Sequence, residues 1–331
     1  MKKILLVTGP GGEAQGWGDM AVTKAMDAAL NASGVACETA YVENAAGFER
    51  VVGSRSFDIV WSALYHFSDR ADIVAVEKNA VWAADILDEK GIPYVGPNAA
   101  TMKNLIRKSD THEIMRAAGA PTPQYNVAKK GGALPNARFP AFVKPVGESR
   151  SVGISDDSVV HDSRELARQV AFIHHQLGQD ALIEDYLPGD EYTVLMLGNG
   201  DRRQLLPGLV TVEQSRYGKY KILRSDLRGV GLTRVLIPND AAKAREAADA
   251  AGKAMLALNC VDHVRADLRA DAEGRLRVIE VNGIPGLKPG KSWSPQIYSM
   301  YHPAPGGMAE EYKNLLKVIA DAAFARINCG G

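Results

Sequence analysis

Apolar and polar positions change rhythm several times along the chain. Ile4–Val7 is an unbroken apolar run closed by Thr8-Gly9, the pattern of a parallel strand covered on both faces. A 3.6-residue rhythm predicts a helix from about Met20 to Leu30, and strands are expected over Glu38–Val42 and Asp58–Leu64. A helix over Ile73–Glu89 and a strand ending at Tyr94-Val95-Gly96 complete this part. Strands alternating with helices imply right-handed βαβ units, so residues 1–97 read as a doubly wound α/β domain.

The pattern then becomes mixed. Lys108 to Ala118 reads as a helix stopped by Gly119, with Pro121 just beyond. Strands are predicted over Pro140–Pro145, Ala181–Leu187 and Glu191–Leu197, with a Gly/Ser-rich turn at Ser149–Ser155 and a helix over Ser163–Leu177. More strands follow from Gln204, then an Ala-rich helix from about Asp240 to Leu258. Val261–Leu268 and Leu276–Val281 read as a β-hairpin, and Met308–Ile327 as a last amphipathic helix.

The hairpin carries the most chemistry. Alternation puts Arg265 and Asp267 on one face of the first strand, and Val278, Glu280 and Asn282 on one face of the second. Adjacent strands would then bring Asp267, Glu280 and Asn282 together. Two carboxylates and an amide oxygen are hard ligands that suit Mg²⁺ shared with phosphates. A solvated polar face is the plainer reading, but the acids lie inside otherwise apolar strands. Asn282 also opens the turn Asn282-Gly283-Ile284-Pro285-Gly286.

Two further segments gain meaning beside it. Lys144 ends a strand and faces the small-residue loop Gly147–Gly153, whose backbone N–H groups could wrap phosphates. A surface hairpin with an extended lysine fits that segment as well. Strand-edge backbone near Glu184–Leu187 could meet an adenine and Glu191 a ribose, although such residues are more often structural.

Charge and cysteine content narrow the field. The 39 basic residues balance 39 acidic ones, so there is no global field to gather nucleic acid or an anionic membrane. Cys37, Cys260 and Cys329 form neither a CxxC pair nor a zinc spacing, and Cys37 and Cys260 are expected as small core residues. The apolar run after Met1-Lys2-Lys3 is too short for a signal peptide and no stretch approaches a membrane span, so a cytoplasmic protein is expected. Gly286–Ser292 falls one residue short of a phosphate-binding Walker loop, and Pro295 is expected to break any helix after it. Gly9-Pro10-Gly11-Gly12 is not the dinucleotide fingerprint GxGxxG. His112 is expected on a helix surface.

Taken in order, Lys144 in Phe142-Val143-Lys144-Pro145, the Ser/Gly loop, Glu184 through Glu191, Arg265-x-Asp267 and Glu280-x-Asn282-x-x-Pro285-Gly286 resemble the ATP-grasp superfamily. The nearest family is the D-alanine–D-alanine ligases. The resemblance implies an ATP-grasp fold, α/β and α+β, with an N-terminal α/β substrate domain (1–97), a central subdomain (98–190) and a C-terminal metal-binding subdomain (191–331). It implies an ADP-forming ligase that phosphorylates a carboxylate with ATP and Mg²⁺ (Mn²⁺ as an alternative) and joins it to an amine. By that resemblance Lys108, Lys144, Glu184, Tyr186, Leu187 and Glu191 bind the nucleotide, and Asp267, Glu280 and Asn282 hold the metal. Arg265, Ser151, Lys219 and Tyr220 are implied in catalysis, the last two on a mobile covering loop. Small-molecule acids and amines are the implied partners, with a homodimer allowed.

The amino-acid half of the pattern departs from that family. Arg150 replaces a serine, His66 heads a stretch that only half matches, and Lys288, Lys291 and Ser292 follow Pro285-Gly286 where Thr/Ser residues are usual. Glu13 remains a match for the acid that meets the first substrate's amine. These departures speak against D-alanine as the substrate. A nucleotide-binding regulatory protein that lost the chemistry is the alternative, and the intact Arg265, Asp267, Glu280 and Asn282 argue against it.

Overall fold

A computed structural model of the chain describes residues 2–54, 56–70, 80–227 and 232–329. The run Lys3–Thr8 is the central strand of a parallel sheet, flanked by Ala36–Tyr41 and Ile59–Ser62. Its continuous apolar sequence has a simple cause. Ile4 and Leu6 face a core shared with helices Met20–Ala32 and Gly307–Cys329, while Leu5 and Val7 face Phe48, Val52, Ile86 and Leu87 on the other side. The expected strand at Tyr94 is reduced to one bridge, Val60 to Tyr94. Part of the helix expected over residues 73–89 lies outside the described residues. Its described part is a short strand, Val81–Trp82, paired with His66–Phe67, followed by helix Ala83–Glu89.

Three helices of eight or nine residues were not legible: Ala45–Gly53, Ala99–Ile106 and Trp293–Tyr301. Ala99–Ile106 is capped by Asn98, whose side chain accepts from Thr101 N. Trp293–Tyr301 directly follows the Lys291-Ser292 turn, so the expectation that Pro295 prevents a helix is corrected. Pro295 sits in the first turn, where the backbone N–H has no intrahelical partner to lose. The Walker reading therefore fails on glycine spacing alone.

Two antiparallel sheets form the rest. A four-stranded sheet has the order Tyr125–Ala128, Ala181–Asp185, Ala141–Pro145, Val159–Val160. A five-stranded sheet has the order Thr233–Leu236, Gln204–Val212, Glu191–Leu197, His263–Ala270, Leu276–Asn282. Val264, Ala266, Leu268 and Ala270 pack with Ala247, Ala251 and Ala254 of helix Ala241–Ala257. The small side chains of that helix let it lie close to the sheet. The opposite face, with Arg265, Asp267 and Arg269, is left for the cleft.

One register differs from simple alternation. Asp267 pairs with Glu280 but Leu268 pairs with Val278, so Ile279 is a bulged extra residue. Val278 therefore joins Val281 in the core instead of sharing a face with Glu280. Cys260 is buried in the same core, with its thiol pushed up to about 12, and Cys37 is partly buried. Among the described residues no helix is long and apolar enough to cross a membrane.

Candidate active site

Two cavities meet in the cleft. The smaller, about 80 Å³, is lined by Phe142, Lys144, Ser151, Ile154, Glu184, Tyr186, Leu187, Glu191, Ile222, Leu223, Arg269 and Ile279. The larger, about 430 Å³, is lined by Glu13, Trp17, Arg150, Arg265, Asn282, Lys288, Lys291, Ser292 and Trp293. Lys108, Glu148, Ser149 and Glu280 belong to both walls. A group bound in one cavity thus borders a group bound in the other.

Lys144 is held by Glu184, whose Oε2 lies 2.8 Å from Lys144 Nζ. The other carboxylate oxygen lies 2.5 Å from His112 Nε2. Burial alone would raise the Glu184 carboxyl, but Lys144 and then His112 more than offset it and hold it below its ordinary value. His112 is 0% exposed, which corrects its expected place on a helix surface. The helix Lys108–Ala117 turns that side chain toward Glu184, a contact spanning 72 positions that no local pattern reports.

Lys108 opens the same helix. Its Nζ donates to the Glu148 carbonyl and lies 3.6 Å from Glu280 Oε2. Burial lowers its pKa, and Glu280 partly offsets this. Gln179 braces the adjoining loop, accepting from Gly147 N at 3.0 Å and donating to Glu148 at 2.5 Å.

Asp267 is 1% exposed and fully engaged. It accepts from Arg265 Nε and Nη2, both at 2.8 Å, from Thr193 Oγ1 at 2.7 Å and from Asn282 Nδ2 at 3.3 Å. Arg265 supplies the positive charge that this buried carboxylate requires, and its guanidinium lies 4.9 Å from the Trp293 ring centroid. Among the described residues no group of three His, Cys, Asp or Glu side chains could hold a metal. A metal here would rest on Asp267, Glu280 and the Asn282 amide, with phosphate oxygens completing its shell. That donor set fits Mg²⁺, which takes few protein ligands.

The loop after Lys144 is tied to the short helix Gly12–Gln15. Ser149 Oγ donates to Ala14 O at 3.1 Å and Arg150 Nη1 to Glu13 O at 2.9 Å. Arg150 and Ser151 both take left-handed backbone, φ 54° and 61°, which few non-glycine residues adopt. Arg150 Nη2 lies 3.5 Å from the Glu13 carboxylate.

Four expected residues line neither cavity: Asp267, which is buried against Arg265, and Lys219, Tyr220 and His66. Tyr220 OH meets His161 Nε2 at 2.6 Å, its ring lies 5.8 Å from that of Tyr186, and Lys219 N donates to Asp156. A Cβ at Gly218 would come within 2.2 Å of Asp156 Oδ2, so glycine lets this segment pass. His66 is 1% exposed, packs edge-on against Trp82, and its backbone N–H donates to Gln15. The Tyr186 N–H is taken by Pro140 O. Arg269 and Ile279 line the smaller cavity without having been singled out. Arg269 follows the alternation that marked Arg265 and Asp267, whereas Ile279 is there because of the bulge.

A family model described as D-ala D-ala ligase C-terminus matches residues 114–329. The chain belongs to the D-alanine–D-alanine ligase family. D-alanine–D-alanine ligase of Gloeobacter violaceus is 30% identical over 238 residues, 70% of this chain and 72% of the relative. An uncharacterized protein of Sinorhizobium fredii, y4sG, is 29% identical over 248 residues, 73% of this chain and 69% of that one. The crystal structure of D-alanine–D-alanine ligase from Bacillus anthracis complexed with ATP aligns over 100% of both chains, with a TM-score of 0.74 and 18% identity. That likeness establishes the ATP-grasp fold for this member of the family.

Proposed function

We propose that this chain is an ATP-dependent ligase that activates a carboxylate as an acyl phosphate and joins it to an amine, with release of ADP and phosphate. The observation that carries this reading is the shared wall. Lys108, Glu148, Ser149 and Glu280 border both cavities, so a nucleotide in the smaller one would direct its terminal phosphate into the larger.

Apolar Phe142, Ile154, Leu187, Ile222 and Leu223 suit a base, Glu191 suits ribose hydroxyls, and Lys144 and Lys108 suit phosphate oxygens. A carboxylate oxygen of the acid attacks the γ-phosphorus as the bond to ADP breaks. The amine then attacks the acyl carbon, and phosphate leaves. Arg265, on the wall of the larger cavity, would stabilise the oxyanion of that second step. Mg²⁺ held by Asp267, Glu280 and Asn282 would supply positive charge to the phosphate oxygens. Ser151 and the Lys219-Tyr220 segment belong to loops beside the nucleotide cavity, where closure would keep water from the acyl phosphate.

The acid and amine are amino acids or related small molecules, with Lys288, Lys291 and the Ser292 turn offered to a carboxylate. Arg150 beside Glu13 sets this cavity apart from one built for D-alanine. The test is ADP release by the purified chain with ATP, Mg²⁺ and a panel of amino acids taken in pairs. Release that requires both a carboxylate and an amine supports the ligase. ATP binding with no pair raising release overturns it.

A further inference from the structure

The strand His263–Ala270 places a second arginine in the cleft besides Arg265. Arg269 is 8% exposed, lines the smaller cavity, and lies directly opposite Glu191 on the neighbouring strand. The two meet loosely, with Arg269 Nη1 3.5 Å from Glu191 Oε2. Arg269 Nε is buried and has no hydrogen-bond partner among the described residues. A guanidinium carries five N–H donors, and a buried charged donor left unpaired costs free energy, so its retention in a cavity wall points to what fills that cavity.

We propose that Arg269 is a specificity-determining residue of the nucleotide site, steadying the Glu191 carboxylate and offering a guanidinium N–H to a ribose hydroxyl. The inference rests on the reading of the smaller cavity as the nucleotide pocket. A carboxylate and a guanidinium side by side are complementary to a cis-diol. Each hydroxyl can donate to the carboxylate and accept from the guanidinium, so the pair is satisfied by ribose and left short by a deoxyribose. Lysine cannot stand in, because a single ammonium lacks the planar fork that would hold a carboxylate and a hydroxyl side by side.

The test is equilibrium binding of ATP and of 2′-deoxy- and 3′-deoxy-ATP to the full chain and to Arg269→Met. The wild-type chain binds ATP more tightly than at least one deoxy analogue. In Arg269→Met, ATP binding weakens about tenfold, that is about 1.4 kcal/mol, and the discrimination shrinks toward unity. A merely structural arginine would lower the melting temperature without changing that ratio. If Arg269→Met does not fold, Arg269→Lys carries the same test. An unchanged ATP affinity, or a preserved ratio, overturns the proposal. A wild-type chain that binds no ATP overturns the nucleotide reading itself.

Discussion

Arg265 and Asp267, two residues apart on one strand, close a bidentate ion pair through Nε–Oδ1 and Nη2–Oδ2 contacts of 2.8 Å each. Thr193 and Asn282 donate to the same carboxylate, so all four of its lone-pair directions are used. The group proposed to stabilise the reacting carbonyl and a proposed metal ligand thus begin as partners of each other.

Breaking that pair from one side leaves an uncompensated buried charge. Asp267→Asn is expected to cost about 3–5 kcal/mol of folding stability, measured by urea denaturation. The double variant Arg265→Met/Asp267→Leu is expected to lose less than that, although it should be inactive. A single variant as stable as the parent would contradict the buried pair.

Glu184 links Lys144 to His112, and its carboxyl lies below its ordinary value of 4.5. A carboxyl depressed in the folded state contributes stability that is complete above the unfolded value and is lost as the pH falls through the folded one. Glu184→Gln is expected to lower the melting temperature at neutral pH, with the curves converging as the pH drops below 4.5. Parallel curves across that range would show that the carboxylate charge is not the cause.

His263 titrates in the opposite sense to a paired histidine. Burial, and then Arg265, push its imidazole from 6.5 down to about 3. Between those values the unfolded chain holds more protons than the folded chain, so stability rises with pH through that window. His263→Gln is expected to flatten the slope of stability between pH 4 and 6.5, about the window set by that linkage. A slope equal to that of the parent chain would remove His263 as its source.

Lys288 and Lys291 are exposed on the wall of the larger cavity, and neither has an ion-pair partner among the described residues. Lys291→Ala is expected to raise the KM of a carboxylate-bearing substrate by up to about tenfold with little change in kcat, as loss of a binding charge does. The penalty should shrink at high salt, because exposed charges are screened. A fall in kcat alone would assign Lys291 to the chemical step.

Much of this site was legible in the chain itself. Arg265 and Asp267 stood out because charged residues alternate with Val264, Ala266 and Leu268, which a strand can bury only on its other face. Lys144, Glu184 and Glu191 were readable as part of an ordered set, Lys108 was added by the family resemblance, and all four line the smaller cavity. Other features arise between elements distant in sequence. Ile279 faces the cavity because two strands pair with a bulge, and His112 is buried because Glu184 lies across from it. Trp293–Tyr301 was hidden by an over-strict reading of Pro295, which a first helical turn accepts. Lys219 and Tyr220 rest against Asp156, His161 and Tyr186, contacts that no spacing encodes.

The central claim is that a carboxylate oxygen, not water, takes the γ-phosphoryl group. Once an active acid and amine pair is found, the acid is supplied with both carboxylate oxygens as ¹⁸O, and the released phosphate is weighed by mass spectrometry. The account predicts one ¹⁸O in the phosphate for each amide formed, because the acyl-phosphate bridging oxygen leaves with phosphorus. Phosphate without label, released in step with amide formation, would contradict it.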